Sequence, residues 1–175
     1  MRAIFLFLIL FYASSATAQN KHDVIIDQFT RLKGDWDGYM EYTDMYDNKT
    51  KFSMPAACQT TFNGKKWEYA VQYDEGNGEM TGGKGECTIN AEGTKMNYDG
   101  IIWEVTKADV TGDTAVIILE TSGKENRKKV NLRRTMMVST YNFSILEEVN
   151  TIEEGPSYIV RNKHIFRRKE SQNKK

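Results

Sequence analysis

The chain has few of the residues that build metal or covalent sites: it contains two histidines and two cysteines among 175 residues. Their positions match no zinc spacing, and Asp44, Asp47 and Asn48 lack the rest of a calcium loop. No Ser or Cys stands in a recognisable relation to a histidine, so a nucleophilic triad has no support. We therefore expect no metal and no other cofactor, and the sequence contains no catalytic motif.

The chain also has no net charge and few prolines. Its 24 Lys and Arg residues balance 24 Asp and Glu residues, which gives no reason to propose nucleic acid or an acidic membrane as a partner. With two prolines and no internal repeat, nothing marks a linker between domains. We expect one domain over residues 19–168, followed by a basic, solvated tail at 169–175.

The apolar run at residues 4–12 is shorter than the roughly 20 residues that a membrane-spanning helix needs. Arg2 precedes this run, and Ala16 and Ala18 follow it in the Ala-x-Ala pattern that signal peptidase cleaves. The pattern predicts a signal peptide over residues 1–18 and a mature chain that begins at Gln19. We therefore expect an exported protein, either periplasmic or secreted.

The chain has many Tyr, Thr and Val residues, with turn residues about every ten positions, which is typical of short strands joined by tight turns. One helix is predicted over 23–32, because Ile25, Phe29 and Leu32 recur at helical spacing. A first strand starts at Trp36. Further strands are predicted at 58–62, 66–73, 86–89, 95–98, 101–105, 114–120, 129–138, 143–149 and 158–168.

The predicted strands follow one another in hairpin order, with Asn63-Gly64 as the clearest tight turn. A meander of antiparallel strands leaves exposed edges unless it closes on itself. The sequence therefore predicts an all-β antiparallel barrel of about eight to ten strands with a short N-terminal helix. A two-layer β-sandwich has the same alternation and stays open as the alternative.

A helix followed by Gly34 and Trp36 resembles the opening of the lipocalin and wider calycin families, where a Gly-x-Trp motif begins the first barrel strand. The stretches Tyr42-Thr43-Asp44 and Met54-Pro55-Ala56 resemble uncharacterised secreted bacterial lipocalin-like proteins. The resemblance implies a barrel with a cup for a small, mostly apolar ligand. It also implies that one basic residue late in the last strand packs on the Trp, and the sequence offers three candidates for it: Arg161, Arg167 and Arg168.

The hairpin near the C-terminus predicts a charged pair inside the barrel. If Val138 pairs with Phe143, then Arg134 lies opposite Glu147 and Met136 lies opposite Ile145. An inward ion pair has two interpretations: a polar anchor for a ligand head group, or a structural salt bridge that sets the strand register.

The remaining candidates for ligand contact are Tyr69, Met136 and His164. Tyr69 belongs to an apolar strand face with Trp67, Val71 and Tyr73, although such aromatics also serve as ordinary core, as a buried methionine does. A general acid or base with a pKa near neutrality would most naturally be His164, but a single histidine in a strand is more often a surface residue or a core residue with its hydrogen bonds satisfied. In the last strand, alternation places one set of residues on a single face: Tyr158, Val160, Asn162, His164 and Phe166.

Cys58 and Cys87 are an even number of cysteines in an exported chain, which favours a disulfide. If the strand at 66–73 lies between them, they are two strand spacings apart, or about 9.6 Å. That separation exceeds the limit of roughly 7 Å between the Cα atoms of a disulfide. The sequence leaves both outcomes open.

Three classes of function remain. The first is a small-ligand binding or carrier barrel, and the second is an envelope interaction or scaffold protein with a filled barrel. The third is an enzyme that uses His164 or Glu147. The Gly-x-Trp opening and the lack of a catalytic motif favour the first class.

Overall fold

The computed structural model of this protein describes residues 20–44 and 46–170. The predicted signal peptide at residues 1–18, with its cleavage site at Ala18, lies outside the described residues. Within the described part of the chain, no helix is both long and apolar enough to cross a membrane.

The N-terminal helix α1 spans Lys21–Leu32 and begins two residues before its predicted start. Asn20 explains the earlier start, because its side chain accepts a hydrogen bond of 3.1 Å from the backbone N–H of His22 and caps the helix. The residues predicted from helical spacing are buried: Ile25, Phe29 and Leu32 are each 0% exposed. The amphipathic face of α1 therefore seals one end of the barrel.

Ten antiparallel strands form a closed barrel in which every strand pairs with its neighbours along the chain and β1 also pairs with β10. This confirms the predicted all-β barrel, and the sandwich alternative is wrong. The strands are β1 (Gly34–Thr43), β2 (Lys51–Phe62), β3 (Lys66–Asp74), β4 (Met80–Ile89), β5 (Lys95–Tyr98), β6 (Ile101–Thr111), β7 (Thr114–Glu125), β8 (Lys128–Val138), β9 (Asn142–Thr151) and β10 (Ile159–Arg168).

Closure depends on β1, which pairs with β2 along one edge and with β10 along the other. Gly38 lies at the closest approach, because a Cβ at this position would overlap the backbone carbonyl of Ile165 on β10. A side chain here would force β1 and β10 apart, so the absence of one permits the seam to close.

The floor of the barrel is built on Trp36. Its indole N–H donates to the carbonyl of Leu32 at 2.9 Å, which ties the first strand to the end of α1. The guanidinium of Arg168 lies 4.1 Å from the centre of the Trp36 ring and donates to the carbonyl of Lys33 at 2.8 Å. Of the three predicted counterparts, Arg168 is thus the residue that packs on the Trp.

The register of the β8–β9 hairpin agrees with the prediction at every pair. Val138 lies opposite Phe143, Met136 opposite Ile145, and Arg134 opposite Glu147. The short turn fixes this register, because the backbone N–H of Ser139 donates to the carbonyl of Asn142 at 2.8 Å.

The predicted face of β10 is correct in its second half and wrong at its start. The register against β9 shifts by one residue between Val160 and Asn162, which is a β-bulge. Because a bulge adds one residue, it moves the preceding residues to the opposite face. Ile159, which lies opposite the buried Val149, therefore faces inward in place of Tyr158 and Val160.

The barrel wall has a notch at the end opposite α1. Strand β4 pairs with β3 over its whole length, but it pairs with β5 only at residues 87–89. The backbone of Glu86 bonds to Asp99 at the β5–β6 turn, whereas no strand of the described residues pairs with residues 80–85 on that side. Across the gap, β7 residues 122–125 pair only with β8 among the described strands. We refer to this gap between residues 80–85 and 122–125 as the notch.

Candidate functional site

A cavity of about 370 Å³ lies inside the barrel between the floor and the notch. This volume falls within the range of roughly 300–1,000 Å³ that small-molecule sites occupy. The cavity reaches Gly83 and Lys84 of β4 and so meets solvent at the notch. Its wall is mostly aromatic and aliphatic, with contributions from Trp67, Tyr69, Val71, Tyr73, Tyr98, Phe143, Ile145 and Phe166.

The predicted ion pair between Arg134 and Glu147 forms one side of this cavity. Nε of Arg134 donates to Oε2 of Glu147 at 3.1 Å, and Nη2 donates to the same oxygen. The two side chains are 16% and 22% exposed. Charges so far removed from water are costly unless they are paired. The pairing of β8 with β9 places Arg134 directly opposite Glu147, so each charge has its partner.

Aromatic rings hold the guanidinium of Arg134 from the other side. Its central carbon lies 4.1 Å from the centre of the Tyr98 ring and 4.8 Å from that of Trp103, which are distances of cation–π contact. Burial alone disfavours the charge of Arg134, but Tyr98 and Glu147 together raise its pKa above the ordinary value. Arg134 is therefore a fixed cation in a largely apolar wall.

His164 lies on the inner face of β10 and is joined to Tyr73 by a hydrogen bond of 2.8 Å between Nε2 and the phenol oxygen. Burial, helped by the nearby Arg134, lowers the pKa of His164 to about 4. A role as a general acid or base that titrates near neutrality therefore has no support at His164. A buried imidazole with this pKa is neutral at pH 7 and is a weak general base.

Tyr69 lines the cavity but is already engaged. Its hydroxyl donates to the carboxylate of Asp99, which also accepts a hydrogen bond of 2.8 Å from the backbone N–H of Glu86. The ring passes over Gly85, where a Cβ would overlap the phenol group. Tyr69 thus links β3 to the β5–β6 turn at the base of the notch, and its ring forms part of the cavity wall.

Met136 is fully buried and is not among the residues that line the cavity. It lies opposite Ile145 in the β8–β9 hairpin. The structure therefore brings four of the five predicted ligand contacts to one cavity, namely Tyr69, Arg134, Glu147 and His164, and places Met136 in the packed core.

Cys58 and Cys87 are buried free thiols. Strand β3 separates them, with Cys58 beside Val71 and Cys87 beside Trp67, so the disulfide is not formed in this structure. Burial raises the pKa of Cys58 to about 12. Both thiols are thus protonated at neutral pH, and Cys58 adds an apolar patch to the cavity wall.

Among the residues that contact the ion pair, sequence reasoning missed Tyr98 and Asn162. Tyr98 is 4% exposed and stacks under Arg134, although β5 itself was predicted correctly. Asn162 lines the cavity, and its side-chain amide donates to Oε1 of Glu147 over 3.5 Å. The sequence could have predicted the inward position of Asn162, because Asn162 shares a predicted strand face with His164. The contact of Tyr98 with Arg134 depends on closure of the barrel, which no local pattern specifies.

Comparison with known proteins identifies the fold. The protein is similar to the crystal structure of Rv2717c from M. tuberculosis, with a TM-score of 0.56, 16% identity and coverage of 83% of this chain and 97% of that chain. The fold is lipocalin-like. The S-type phycobiliprotein lyase CpeS from Guillardia theta also matches, with a TM-score of 0.56, 12% identity and coverage of 85% and 94% of the two chains.

These similarities concern the fold, because identities this low leave the side chains of the cavity free to differ. No family model matches the chain, and no curated protein matches it. The residues of the cavity must therefore support any proposal about function.

Proposed function

We propose that this chain is an exported, lipocalin-like protein that binds a small, mostly apolar molecule in its barrel cavity. The observation that carries the proposal is the cavity of about 370 Å³ with its aromatic wall and single buried ion pair. Pockets for small ligands combine a mostly apolar surface with a few fixed polar groups. A barrel that served only as a scaffold would gain stability by filling this space with side chains.

The state of the two candidate catalytic residues favours binding over catalysis. The carboxylate of Glu147 is engaged in the ion pair with Arg134, and burial lowers the pKa of His164 to about 4, so His164 is a weak general base at pH 7.

Export rests on the signal-peptide pattern in residues 1–18 and on the cleavage site at Ala18. Cell fractionation followed by N-terminal sequencing tests it. We expect the mature chain to begin at Gln19 and to be found outside the cytoplasm. A cytoplasmic protein that retains Arg2 would contradict export without affecting the proposal of ligand binding.

Titration with 1-aminoanthracene, a neutral aromatic fluorophore, tests the cavity itself. We expect its emission to rise and shift to the blue on binding, because it leaves water for an apolar wall. In the variant Val71→Trp the new ring occupies the cavity, since Val71 lines it, and binding should weaken at least tenfold. Retained binding in Val71→Trp, or no binding to the unmodified protein, would contradict the proposal.

The matched control is Ala70→Trp. Ala70 neighbours Val71 on β3 and does not line the barrel cavity; successive strand residues point to opposite faces, so Ala70 faces outward. The same bulk is thereby added to the same strand outside the barrel. We expect Ala70→Trp to bind the fluorophore as the unmodified protein does.

A further inference from the structure

The ion pair leaves hydrogen-bonding capacity that no described residue uses fully. Arg134 directs Nε and Nη2 to a single oxygen of Glu147, and Nη1 forms no hydrogen bond within the described residues. The other oxygen, Oε1 of Glu147, accepts only the long 3.5 Å bond from Asn162. Since both residues line the cavity, the pair supplies one free donor group and one weakly engaged acceptor to a bound molecule.

The charges around the cavity nearly cancel. Arg134 and Glu147 form a one-to-one pair, and His164 is neutral at pH 7. Lys84 also borders the cavity, but it is exposed at the notch, where water screens its charge. A ligand with a net charge would therefore enter an apolar site without an unpaired counter-ion, and it would face repulsion from one member of the pair.

Flat aromatic shape is favoured by the wall of the cavity. Trp67, Tyr69 and Tyr98 form a cluster of rings. The distance between ring centroids is 5.1 Å for Trp67 and Tyr69 and 5.8 Å for Tyr69 and Tyr98. These rings line the cavity and give a flat aromatic ligand faces and edges against which it can stack.

We propose that the cavity selects neutral, flat aromatic molecules that carry a hydrogen-bond donor beside an acceptor, as a primary amide or lactam does. The carbonyl of such a group accepts from Nη1 of Arg134 while its N–H donates to Oε1 of Glu147. This inference rests on the proposed function and specifies the chemical class of its ligand.

Three probes of one shape test the charge preference: 2-naphthamide, 2-naphthoate and 2-naphthylmethylammonium. Each is added at pH 7 to the complex with 1-aminoanthracene, and its affinity is read from displacement of the fluorophore. We expect 2-naphthamide to bind at least about tenfold more tightly than either ion, because each ion meets a like charge in a weakly screened site. Equal or tighter binding of either ion would overturn the inference.

The variant Glu147→Gln tests the cause of the preference. It leaves Arg134 without its counter-ion, so 2-naphthoate should become the best ligand, with an affinity at least about tenfold higher than for the unmodified protein. Glu120→Gln, which makes the same change in an outward glutamate paired with Arg133, is the matched control and should keep the original ranking. An unchanged ranking in Glu147→Gln would contradict the role of the pair.

Failure of this inference is distinguishable from failure of the proposed function. If 1-aminoanthracene binds and the naphthalene probes displace it in the wrong order, the cavity is a binding site with a different ligand class. If neither the fluorophore nor any probe binds, the proposed function itself fails and this inference fails with it.

Discussion

Replacing Arg134 with methionine should destabilise the barrel through the charge that remains. Removal of one partner from a fully buried ion pair costs about 3–5 kcal/mol. Because Glu147 retains 22% exposure and water can reach it through the cavity, we expect a smaller loss of about 2–3 kcal/mol in the free energy of unfolding. Methionine keeps part of the packing against Tyr98 and Trp103, so most of this loss reflects the unpaired carboxylate.

Urea denaturation followed by tryptophan fluorescence measures this loss, and two further variants isolate its cause. Arg133→Met removes a half-exposed arginine paired with Glu120 and should cost less than about 1 kcal/mol. The double variant Arg134→Met, Glu147→Leu removes both charges and should return to within about 1 kcal/mol of the unmodified protein. A double variant no more stable than Arg134→Met alone would refute the reasoning, as would an Arg134→Met variant as stable as Arg133→Met.

Three further predictions concern pH, exchange and the β1–β10 seam. In the unfolded chain His164 has a pKa near 6.5, whereas its pKa in the folded protein is about 4. The unfolded chain therefore binds the proton more readily, and the free energy of unfolding should fall by on the order of 3 kcal/mol as the pH drops from 6.5 to 4. The variant His164→Phe should abolish this part of the pH dependence. Hydrogen exchange should be fast at alternate amides of residues 80–85, which lack a partner at the notch, and slow at 87–89; uniform protection across β4 would show that the notch is closed. Gly38→Ala should lower the free energy of unfolding by about 1–3 kcal/mol, because its Cβ would overlap the carbonyl of Ile165. Gly123→Ala is the control, because a Cβ there would meet no described atom within 4 Å, and it should leave the thermal unfolding temperature unchanged.

Strand alternation and turn chemistry carry the information that predicts the barrel and one of its key pairs. The pairing of Arg134 with Glu147 follows from the short turn at residues 139–142, because a turn fixes the register of every pair behind it. Strand β5 was predicted at its observed bounds, Lys95–Tyr98. These are local properties, and local sequence determines them.

Longer-range features escaped prediction for physical reasons. The bulge between Val160 and Asn162 has no glycine or proline to mark it, so alternation was carried through it. Residues 80–85 are rich in glycine, so the strand was predicted to begin only at residue 86, yet pairing with β3 extends β4 back to Met80.

The chemistry of the site depends on closure of the barrel. Burial and Arg134 of β8 lower the pKa of His164 on β10, although β9 separates the two strands. Tyr98 contacts Arg134 because closure of the barrel places β5 and β8 on facing walls of the interior. No sequence pattern specifies such contacts, since they join residues from strands that do not pair.

Of the predicted tail at 169–175, the structure describes only residues 169 and 170, and Lys169 is exposed but attached to β1. Its backbone N–H donates to the carbonyl of Asp35 at 3.0 Å, and its ammonium lies 2.9 Å from the carboxylate of Asp37. The end of β10 is thus fastened to the start of β1 beside Arg168, which extends the seam that closes the floor.

Native mass spectrometry of the protein purified gently from the cells that produce it, compared with the same sample after denaturation, tests ligand binding most directly. The account predicts an added mass that is lost on denaturation and that belongs to a small, mostly apolar molecule. Repeated preparations that show only the mass of the bare chain, together with no uptake of 1-aminoanthracene, would contradict the account and favour a barrel that acts through its outer surface.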